Sequence, residues 1–321
     1  MRELRAPTIE EIRAAHERIR GFVIRTPLIP FPVDLAGGAR IYLKPENLQA
    51  IGSFKVRGSG NAMARLFPAE LAEGVYTASA GNMAQGVAWN ARRLGVSCGV
   101  VVPDQAPVAK LAAIERLGGR ITKVPFDEWW RVMVEHRHAG MRGRFIHPVS
   151  DVDVIAGNGT IGIEIAEDFP EVETVLVPFG GGGLSCGIAA ALRTLSPKAR
   201  VLACEVETAA PLSASLAAGA PVAISHRPSF VDGIGGKSVL AEMWPLASAL
   251  LAGAVIVSLE ETAAAIRLLV ERARIVAEGA GASSVAAALS GRSGGDAIVC
   301  VVSGGNIDPS KLATILKGEM P

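Results

Sequence analysis

The sequence of 321 residues has few cysteines, few aromatic side chains and almost no net charge. Its four cysteines are Cys98, Cys186, Cys204 and Cys300, and they are spaced too widely for a C-x-x-C redox pair or a zinc site. Four cysteines in a chain of this length do not form a disulfide framework. We therefore predict a reducing, cytoplasmic compartment.

The charge balance excludes several classes of partner. Lysine and arginine number 32 and aspartate and glutamate 31, which leaves a net charge of +1. A nucleic-acid-binding protein normally carries a basic excess, so no nucleic-acid partner is expected.

The longest uncharged stretches, 174–192 and 208–226, contain proline and several small residues, and the charged N-terminus lacks the apolar core of a signal peptide. We expect no membrane partner.

Apolar residues make up 50% of the chain and alternate between two patterns. Short apolar runs predict strands at 40–44, 74–79, 98–102, 121–124, 174–179, 201–206 and 297–302. Helical patterns lie at 8–20, 83–94, 108–117, 128–138, 155–169, 184–195 and 259–276. Apolar strands separated by helices indicate an α/β protein with mostly parallel sheets. At about 150 residues per domain, we expect one domain at 1–73 and 147–321 and a smaller one at 74–146, with a ligand between them.

The strongest local motif is a run of glycines between an apolar strand and an alanine-rich helix. It consists of Gly180, Gly181, Gly182 and Gly183, followed by Leu184. Backbone N–H groups in such a loop can approach an anion, and the helix dipole favours negative charge there. The motif predicts a phosphate site, although a flexible loop is the alternative. Because position 185 is serine and no Walker A motif is present, dinucleotide and ATP sites are disfavoured.

A second motif places a lysine in apolar surroundings. Lys55 lies between Phe54 and Val56 in the sequence SFKVRG. Such surroundings lower the pKa of an amine, as a nucleophilic or Schiff-base-forming lysine requires. Taken alone, the pattern is also typical of a surface lysine whose stem lies on apolar neighbours.

Two further motifs follow predicted strands. The first consists of Ser79, Ala80, Gly81, Asn82 and Met83, at the start of a predicted helix. Free N–H groups there suit a carboxylate, and an ordinary helix cap is the alternative. The second, residues 303–306, follows the last apolar strand, where open α/β sheets bind ligands. A simple turn is the alternative for that motif.

Together, the four motifs resemble the β-family, or fold type II, of pyridoxal-phosphate enzymes. The order and spacing are similar to those of the threonine/serine dehydratase and serine racemase branch. Supporting segments are 25–28, 44–49, 155–160 and 278–281, so the resemblance covers nearly the whole chain. It implies a two-lobed α/β fold like that of the tryptophan synthase β-subunit, with open, mostly parallel sheets flanked by helices. It also implies pyridoxal 5'-phosphate as cofactor and a homodimer.

The resemblance assigns roles to individual residues. It makes Lys55 the catalytic residue that binds the cofactor as a Schiff base. The other implied cofactor contacts are Phe54 against the ring, Asn82 at the ring hydroxyl, Ser303 at the pyridine nitrogen, Gly180, Gly181, Gly182, Gly183 and Leu184 at the phosphate, and Glu278. The implied substrate contacts are Ser79, Ala80, Gly81, Asn82, Met83 and Gly233. The larger domain then binds the cofactor and the smaller one the substrate carboxylate.

The implied activity is dehydration of L-threonine, L-serine or a related 3-hydroxy amino acid to a 2-oxo acid and ammonia, with Lys55 as the base at the α-carbon. A neutral serine hydroxyl at the ring nitrogen makes the cofactor a weaker electron sink than an aspartate does, which favours β-elimination over transamination. The alternatives are β-replacement, racemisation, a non-catalytic pyridoxal-phosphate-binding protein and, from another class, a nicotinamide dehydrogenase.

Three positions depart from the family pattern. Ala80 stands where racemases and many threonine dehydratases carry a second serine. In racemisation that hydroxyl transfers a proton on the opposite face, so elimination is favoured over racemisation. Met83 stands where histidine is common, and it either reshapes the pocket or packs at the helix start. Pro211 stands where relatives have an acidic metal ligand, so we predict no divalent metal site, although Glu205 and Glu207 remain possible ligands.

The histidines do not predict a metal site either. His136 and His138 belong to the charged segment EHRH, which we expect on the solvated face of a helix. His147 precedes a proline, and we expect it to be structural rather than catalytic.

Overall fold

The strands of the molecule form two separate sheets. The computed structural model describes residues 4–33 and 38–321. In chain order the strands are β1 (Ile29–Pro30), β2 (Arg40–Pro45), β3 (Val75–Ala78), β4 (Cys98–Pro103), β5 (Gly119–Val124), β6 (Arg144–Phe145), β7 (Thr174–Pro178), β8 (Arg200–Val206), β9 (Ala254–Val257) and β10 (Ala297–Val302). The large sheet has the order β1-β2-β10-β7-β8-β9 and the small sheet the order β5-β4-β3-β6. Only β1 and β2 pair in antiparallel fashion among the described strands, which confirms the predicted α/β class.

Helices connect the strands and cover the sheets. They are α1 (Ile9–Ile19), α2 (Lys55–Ala64), α3 (Pro68–Ala72), α4 (Asn82–Leu94), α5 (Val108–Arg116), α6 (Phe126–Glu135), α7 (Val152–Asp168), α8 (Gly183–Leu195), α9 (Pro211–Ala218), α10 (Trp244–Leu250), α11 (Leu259–Leu268), α12 (Gly279–Leu289) and α13 (Pro309–Leu316). A short 3-10 helix spans Glu46–Leu48. Within the described ranges, no helix combines the length and apolarity needed to cross a membrane. The larger domain predicted from the sequence, 1–73 and 147–321, also includes residues 1–3 and 34–37, which lie outside the described residues.

Most predicted elements are present, and the errors have physical causes. The helix predicted at 259–276 ends at Leu268, passes into a π-helical turn over Leu269–Ala273 and stops at Arg274, whose φ is 60°. The helix predicted at 128–138 begins and ends earlier, at α6. Helices α2 and α12 were missed because both are rich in glycine, serine and alanine and are buried on nearly all sides. They therefore lack both strong helix propensity and an apolar face with helical periodicity.

Helix α2 lies between two helices that follow strands of the small sheet. It packs against α7 on one side and α4 on the other. A Cβ atom at Gly157 in α7 would lie 2.6 Å from the carbonyl oxygen of Arg57, and one at Gly86 in α4 would lie 3.0 Å from that of Lys55. Only glycine allows such close contact between backbones. The start of α2 is therefore fixed from both sides.

Four charged side chains are buried together beneath the start of α2. Arg57 donates from Nε to Glu46 at 2.8 Å and from Nη1 to Glu164 at 2.6 Å. Lys44 Nζ lies 2.7 Å from Glu164 and donates to the carbonyl oxygen of Thr26 at 2.6 Å. All four charged side chains are 1% exposed or less. Two positive and two negative charges therefore balance within the core.

The remaining donors of Arg57 are also satisfied. Arg57 donates to Thr160 Oγ1 at 3.1 Å and to the carbonyl oxygen of Ile24 at 3.0 Å. Full hydrogen bonding of this kind is what lets a buried ion pair offset its desolvation. Burial alone would raise the pKa of Glu164, but Arg57 and then Lys44 outweigh it and hold that pKa below its usual value. The stabilisation is therefore present above the pKa of an unfolded glutamate and is lost as the pH falls through the lower folded value.

We expect Glu164→Gln to lower the free energy of unfolding by about 3–5 kcal/mol, because it leaves two buried cations with a single carboxylate. The matched control is Glu167→Gln on the same helix, which removes an exposed pair with Arg25 and should cost less than about 1 kcal/mol. Urea unfolding measures both. Equal losses would contradict the prediction.

Candidate active site

Lys55 is the first residue of α2 and directly follows Phe54. Its Nζ donates a hydrogen bond to the carbonyl oxygen of Pro148 at 2.9 Å and lies 5.0 Å from the centre of the Phe54 ring. Burial lowers the pKa of Lys55 to about 8, because desolvation disfavours the charged ammonium. A substantial share of this amine is thus neutral near pH 8, as reaction with a carbonyl group requires.

The glycine run, residues 180–183, connects β7 to α8. Gly182 has a φ of 94°, in the left-handed region that glycine enters without strain. A Cβ atom at Gly181 would lie 2.5 Å from Cγ2 of Val149, so the loop has no space for side chains there. The side chain of Leu184 is buried in the core. The loop therefore offers only backbone, and the first N–H groups of α8, which have no acceptor within the helix, suit an anion.

The end of β10 lies against the residues that precede Lys55. The N–H of Phe54 donates to the carbonyl oxygen of Ser303 at 3.0 Å, and Ser53 pairs with Gly304 in an isolated bridge. Ser303 itself is buried. The Oγ atom of Ser53 is buried without a hydrogen-bond partner in the described part of the chain. Since such an atom costs free energy, a polar ligand bound here would satisfy it.

Asn82 connects three sequence motifs through its side-chain amide. Its Nδ2 donates to Oε1 of Glu278 at 2.7 Å, and its Oδ1 accepts from Nδ2 of Asn306 at 2.8 Å. Asn306 also donates to the carbonyl oxygen of Ile51 at 2.9 Å. Asn82 follows β3 of the small sheet, whereas Glu278 precedes α12 and Asn306 follows β10 of the large sheet. Asn306 is a site residue that the sequence analysis did not assign, although its motif was identified.

The carboxyl group of Glu278 titrates near neutrality. Burial raises its pKa to about 7, the hydrogen bond from Asn82 lowers it, and the charge of Asp232 raises it further. A Cβ atom at Gly233 would lie 3.4 Å from Oε1 of Glu278 and 2.9 Å from Cβ of Ala280, so Gly233 lies directly beside this carboxyl group. A carboxyl group that changes charge near pH 7 is typical of functional sites.

Residues 79–83 lead from β3 into α4. The Oγ atom of Ser79 accepts a hydrogen bond from the N–H of Gly81 at 3.1 Å. Gly81 precedes the helix and supplies no side chain, so the ordinary side-chain cap is not formed. The side chain of Met83 is 2% exposed and packs in the core of the small sheet, with Ala80 at the edge of that core. The side chain of Met83 therefore has a packing role.

Residues 148–150 were not identified from the sequence, yet they lie between Lys55 and the glycine run. Pro148 supplies the carbonyl oxygen for the amine, and Val149 contacts the position of Gly181. The Oγ atom of Ser150 is buried and has no partner among the residues described. Their place in the sequence could have identified them, because this segment follows β6 and ligands bind at the carboxyl ends of parallel strands.

The expectation of solvated histidines on a helix is wrong. Helix α6 ends before His136, which has a left-handed φ of 57°. The ring centre of His136 lies 4.3 Å from that of His147, and its Nε2 lies 3.2 Å from Oε1 of Glu242. His138 pairs with a glutamate of α6 at 3.1 Å, and both histidine side chains are 12% exposed. Because the helix ends before them, the two rings are largely buried.

His136, His147 and Glu242 have potential metal-ligating atoms within 4.8 Å of one another. His147, however, already uses both ring nitrogens. Its Nε2 bonds to the carbonyl oxygen of Met133, and its Nδ1 accepts two backbone N–H groups. A metal ion would have to break these bonds to reach a lone pair, so this arrangement does not suit one.

Glu205 is fully engaged by the start of α9. It accepts from the N–H of Leu212 at 2.7 Å, and from the N–H and Oγ of Ser213 at 2.8 and 2.6 Å. Burial raises its pKa, against the lowering effect of these bonds. Pro211 opens the helix, and Glu207 accepts from the start of α11. The expected lack of a divalent site stays a prediction, and these contacts give both carboxylates other partners.

The features at the carboxyl ends of β3, β6, β7 and β10 have a shared chemical character. They combine an amine of lowered pKa, a backbone loop for an anion and two buried hydroxyls, of Ser53 and Ser150, that have no partner among the described residues. A molecule with a phosphate, an aldehyde and a polar ring fits these groups. Pyridoxal 5'-phosphate has all three.

Comparisons with known proteins agree with this chemistry. L-threonine ammonia-lyase of Thermotoga maritima is 40% identical over 316 residues, which cover 96% of this chain and 78% of that protein. The structure of maize serine racemase matches with a TM-score of 0.88 at 31% identity over 98% of each chain. Processed threonine deaminase isoform 2 of Solanum lycopersicum matches with a TM-score of 0.82 at 32% identity, over 98% of this chain and 96% of that one. A family model described as pyridoxal-phosphate dependent enzyme matches residues 19–304, and the chain therefore belongs to the pyridoxal-phosphate-dependent enzymes of this family.

Proposed function

We propose that the protein is a pyridoxal-phosphate-dependent ammonia-lyase. It removes water from L-threonine, L-serine or a related 3-hydroxy amino acid and releases a 2-oxo acid and ammonia. The observation that carries this proposal is Lys55, an amine of lowered pKa held at the carbonyl oxygen of Pro148 beside the glycine run. The similarity to L-threonine ammonia-lyase over 96% of the chain supports the substrate class.

The residues around Lys55 would hold the cofactor from several sides. When bound, the cofactor supplies an electron sink for the negative charge that develops at the substrate α-carbon. The backbone of residues 180–184 would bind the phosphate, and the Phe54 ring would pack against the pyridine ring. Ser303 would bind the pyridine nitrogen through a neutral hydroxyl. Asn82 and Glu278 would bind the ring hydroxyl side as the hydrogen-bonded pair described above.

The substrate is bound and deprotonated by other groups of the chain. The backbone N–H groups of residues 79–83, at the start of α4, bind the substrate carboxylate, and Gly233, beside Glu278, is a further substrate contact. Lys55 takes the proton from the α-carbon as general base. Ala80 has no hydroxyl to return a proton on the opposite face, so elimination of the β-hydroxyl is favoured over racemisation.

The larger organisation belongs to the same proposal. We infer a large cofactor-binding domain at 1–73 and 147–321, built on the large sheet, and a small substrate-carboxylate-binding domain at 74–146, built on the small sheet. We infer a homodimer from the family resemblance. The four free, buried cysteines support a reducing, cytoplasmic compartment.

The first test is release of 2-oxo acid by the pyridoxal-phosphate-loaded protein, without a second substrate. The panel is L-threonine, L-serine, 3-hydroxyaspartate and phenylserine. We expect release from at least one, and Lys55→Ala should abolish both turnover and the visible absorbance band of the bound cofactor. The control is Lys317→Ala, which removes an exposed lysine and should change neither.

Each other outcome points to a different activity. Turnover only with an added nucleophile would indicate β-replacement, and loss of chirality in recovered substrate would indicate racemisation. Retained turnover in Lys55→Ala would refute the assignment of the base. A cofactor band that no amino acid perturbs would indicate a non-catalytic binding protein.

Gly181→Ala should weaken the binding of pyridoxal phosphate tenfold or more, an estimate of about 1.4 kcal/mol or above. The reason is that the added Cβ would lie 2.5 Å from Val149 and force the phosphate loop to move. Absorbance titration of the cofactor-free chain measures the affinity. Pyridoxal without the phosphate should bind the variant and the wild type equally. Gly21→Ala, where a Cβ meets nothing within 4 Å, is the control.

Glu278→Gln should remove a pH-dependent destabilisation of the cofactor-free protein. The folded pKa of Glu278 is about 7 and its ordinary value 4.5. The folded state thus binds the extra proton, and stability falls as the pH rises between these values. We expect the melting temperature of the variant, relative to wild type, to increase from pH 5 to pH 7 and then to level off. The exposed Glu271→Gln should show no such trend, and a pH-independent difference for Glu278→Gln would contradict the assignment.

A further inference from the structure

The turn at residues 147–150 joins β6 to α7 beside the active-site lysine. It is built around the imidazole of His147, which is completely buried. The Nδ1 atom accepts hydrogen bonds from the N–H groups of Val149 at 3.0 Å and Ser150 at 2.6 Å. On the other side of the ring, Nε2 lies 3.1 Å from the carbonyl oxygen of Met133 in α6. One side chain thus bonds to its own turn and to a helix of the small-sheet layer.

These contacts fix the protonation state of the ring. A carbonyl oxygen only accepts, so Nε2 carries the proton, and backbone N–H groups only donate, so Nδ1 keeps its lone pair. Burial, followed by the neighbouring His136 and Lys55, lowers the pKa of His147 to about 3, and the bond to Met133 opposes this only in part. The imidazole is therefore neutral near physiological pH. Its donor nitrogen, Nε2, and its acceptor nitrogen, Nδ1, cannot exchange roles.

The turn places two groups in the active site. The carbonyl oxygen of Pro148 accepts from Lys55 Nζ at 2.9 Å. Val149 packs where a side chain at Gly181 would be, against the phosphate loop. The ring of Pro148 fixes its own φ, so the two bonds to His147 leave the turn little freedom. The orientation of the Pro148 carbonyl thus depends on the His147 ring.

We propose that His147 is a positioning residue, whose neutral ring holds the 147–150 turn so that the Pro148 carbonyl keeps the free amine of Lys55 in place for proton transfer. The inference rests on the proposed function, in which Lys55 is the base. A hydrogen bond to the ammonium favours the charged form. The carbonyl therefore opposes the effect of burial on the pKa of Lys55 and keeps it from falling further.

Two substitutions separate this role from simple packing. His147→Asn introduces an amide oxygen that can accept from the N–H groups two and three residues ahead, as in an Asx turn. It loses the bond to Met133 and leaves empty space. His147→Phe fills the space but accepts nothing. If His147 acts by positioning the turn, His147→Asn should behave like wild type. If it acts only by filling space, His147→Phe should behave like wild type.

The measurement is the titration of Lys55 in the full-length chain without cofactor. Lysine amines are methylated with isotope-labelled formaldehyde and followed by NMR, and the Lys55 signal is identified by its absence from Lys55→Arg. We expect Lys55 to titrate about one pH unit lower in His147→Phe and unchanged in His147→Asn. Ser150→Ala, which keeps the backbone N–H, is the control within the same turn for this cofactor-free titration only. In the loaded enzyme, the acidic limb of the kcat profile should move the same way.

The proposal is wrong if His147→Phe titrates like wild type, or if His147→Asn shifts as far as His147→Phe. Should either variant fail to fold, nitrogen NMR of the wild-type imidazole decides the matter. A ring that titrates between pH 5 and pH 8, or that carries its proton on Nδ1, overturns the proposal. These readouts need no turnover, so they remain informative even if the amino-acid panel yields no 2-oxo acid.

Discussion

The buried ion network beneath α2 is the constraint on which the site depends. Arg57 is two residues from Lys55, and its guanidinium is bonded to Glu46 and Glu164 with no exposure to solvent. Breaking a fully desolvated pair costs several kcal/mol, so the first turn of α2 is held firmly. The network draws on the segment before β1, the end of β2, the short 3-10 helix after β2, the start of α2 and the last turns of α7. Lys55 therefore lies at a helix start that is held by buried ion pairs.

The network and the active site use burial in opposite ways. In the network every buried charge has an opposite charge beside it, and Glu164 keeps a pKa below its usual value. At the site, Lys55 and Glu278 are desolvated without an ion pair strong enough to offset burial, and their pKa values move to about 8 and about 7. Both groups can then change charge near neutral pH. The charges of the buried ion network are thus paired, whereas the protonation states of Lys55 and Glu278 vary with pH near neutrality.

The sequence motifs turned out to carry two different kinds of information. The segments 25–28, 44–49 and 155–160 supported the family resemblance, yet Thr26, Lys44, Glu46 and Thr160 lie in or beside the buried network rather than at the cofactor site. Met83 was a candidate for the substrate pocket, but its side chain lies in a hydrophobic core. Sequence spacing marks a position as constrained, and only packing shows whether chemistry or stability constrains it.

The sequence by itself indicated the parallel α/β architecture and the glycine loop, because strand periodicity and backbone-only loops are local properties. The resemblance of its motifs to a known family indicated the cofactor class and the candidate lysine. Tertiary structure alone decided what surrounds them. Asn82 meets Glu278 across 196 positions of sequence, and Lys55 meets Pro148 across 93. The protonation of His147 likewise depends on a carbonyl of α6. Desolvation and hydrogen-bond partners set each pKa, and these exist only after distant segments have packed together.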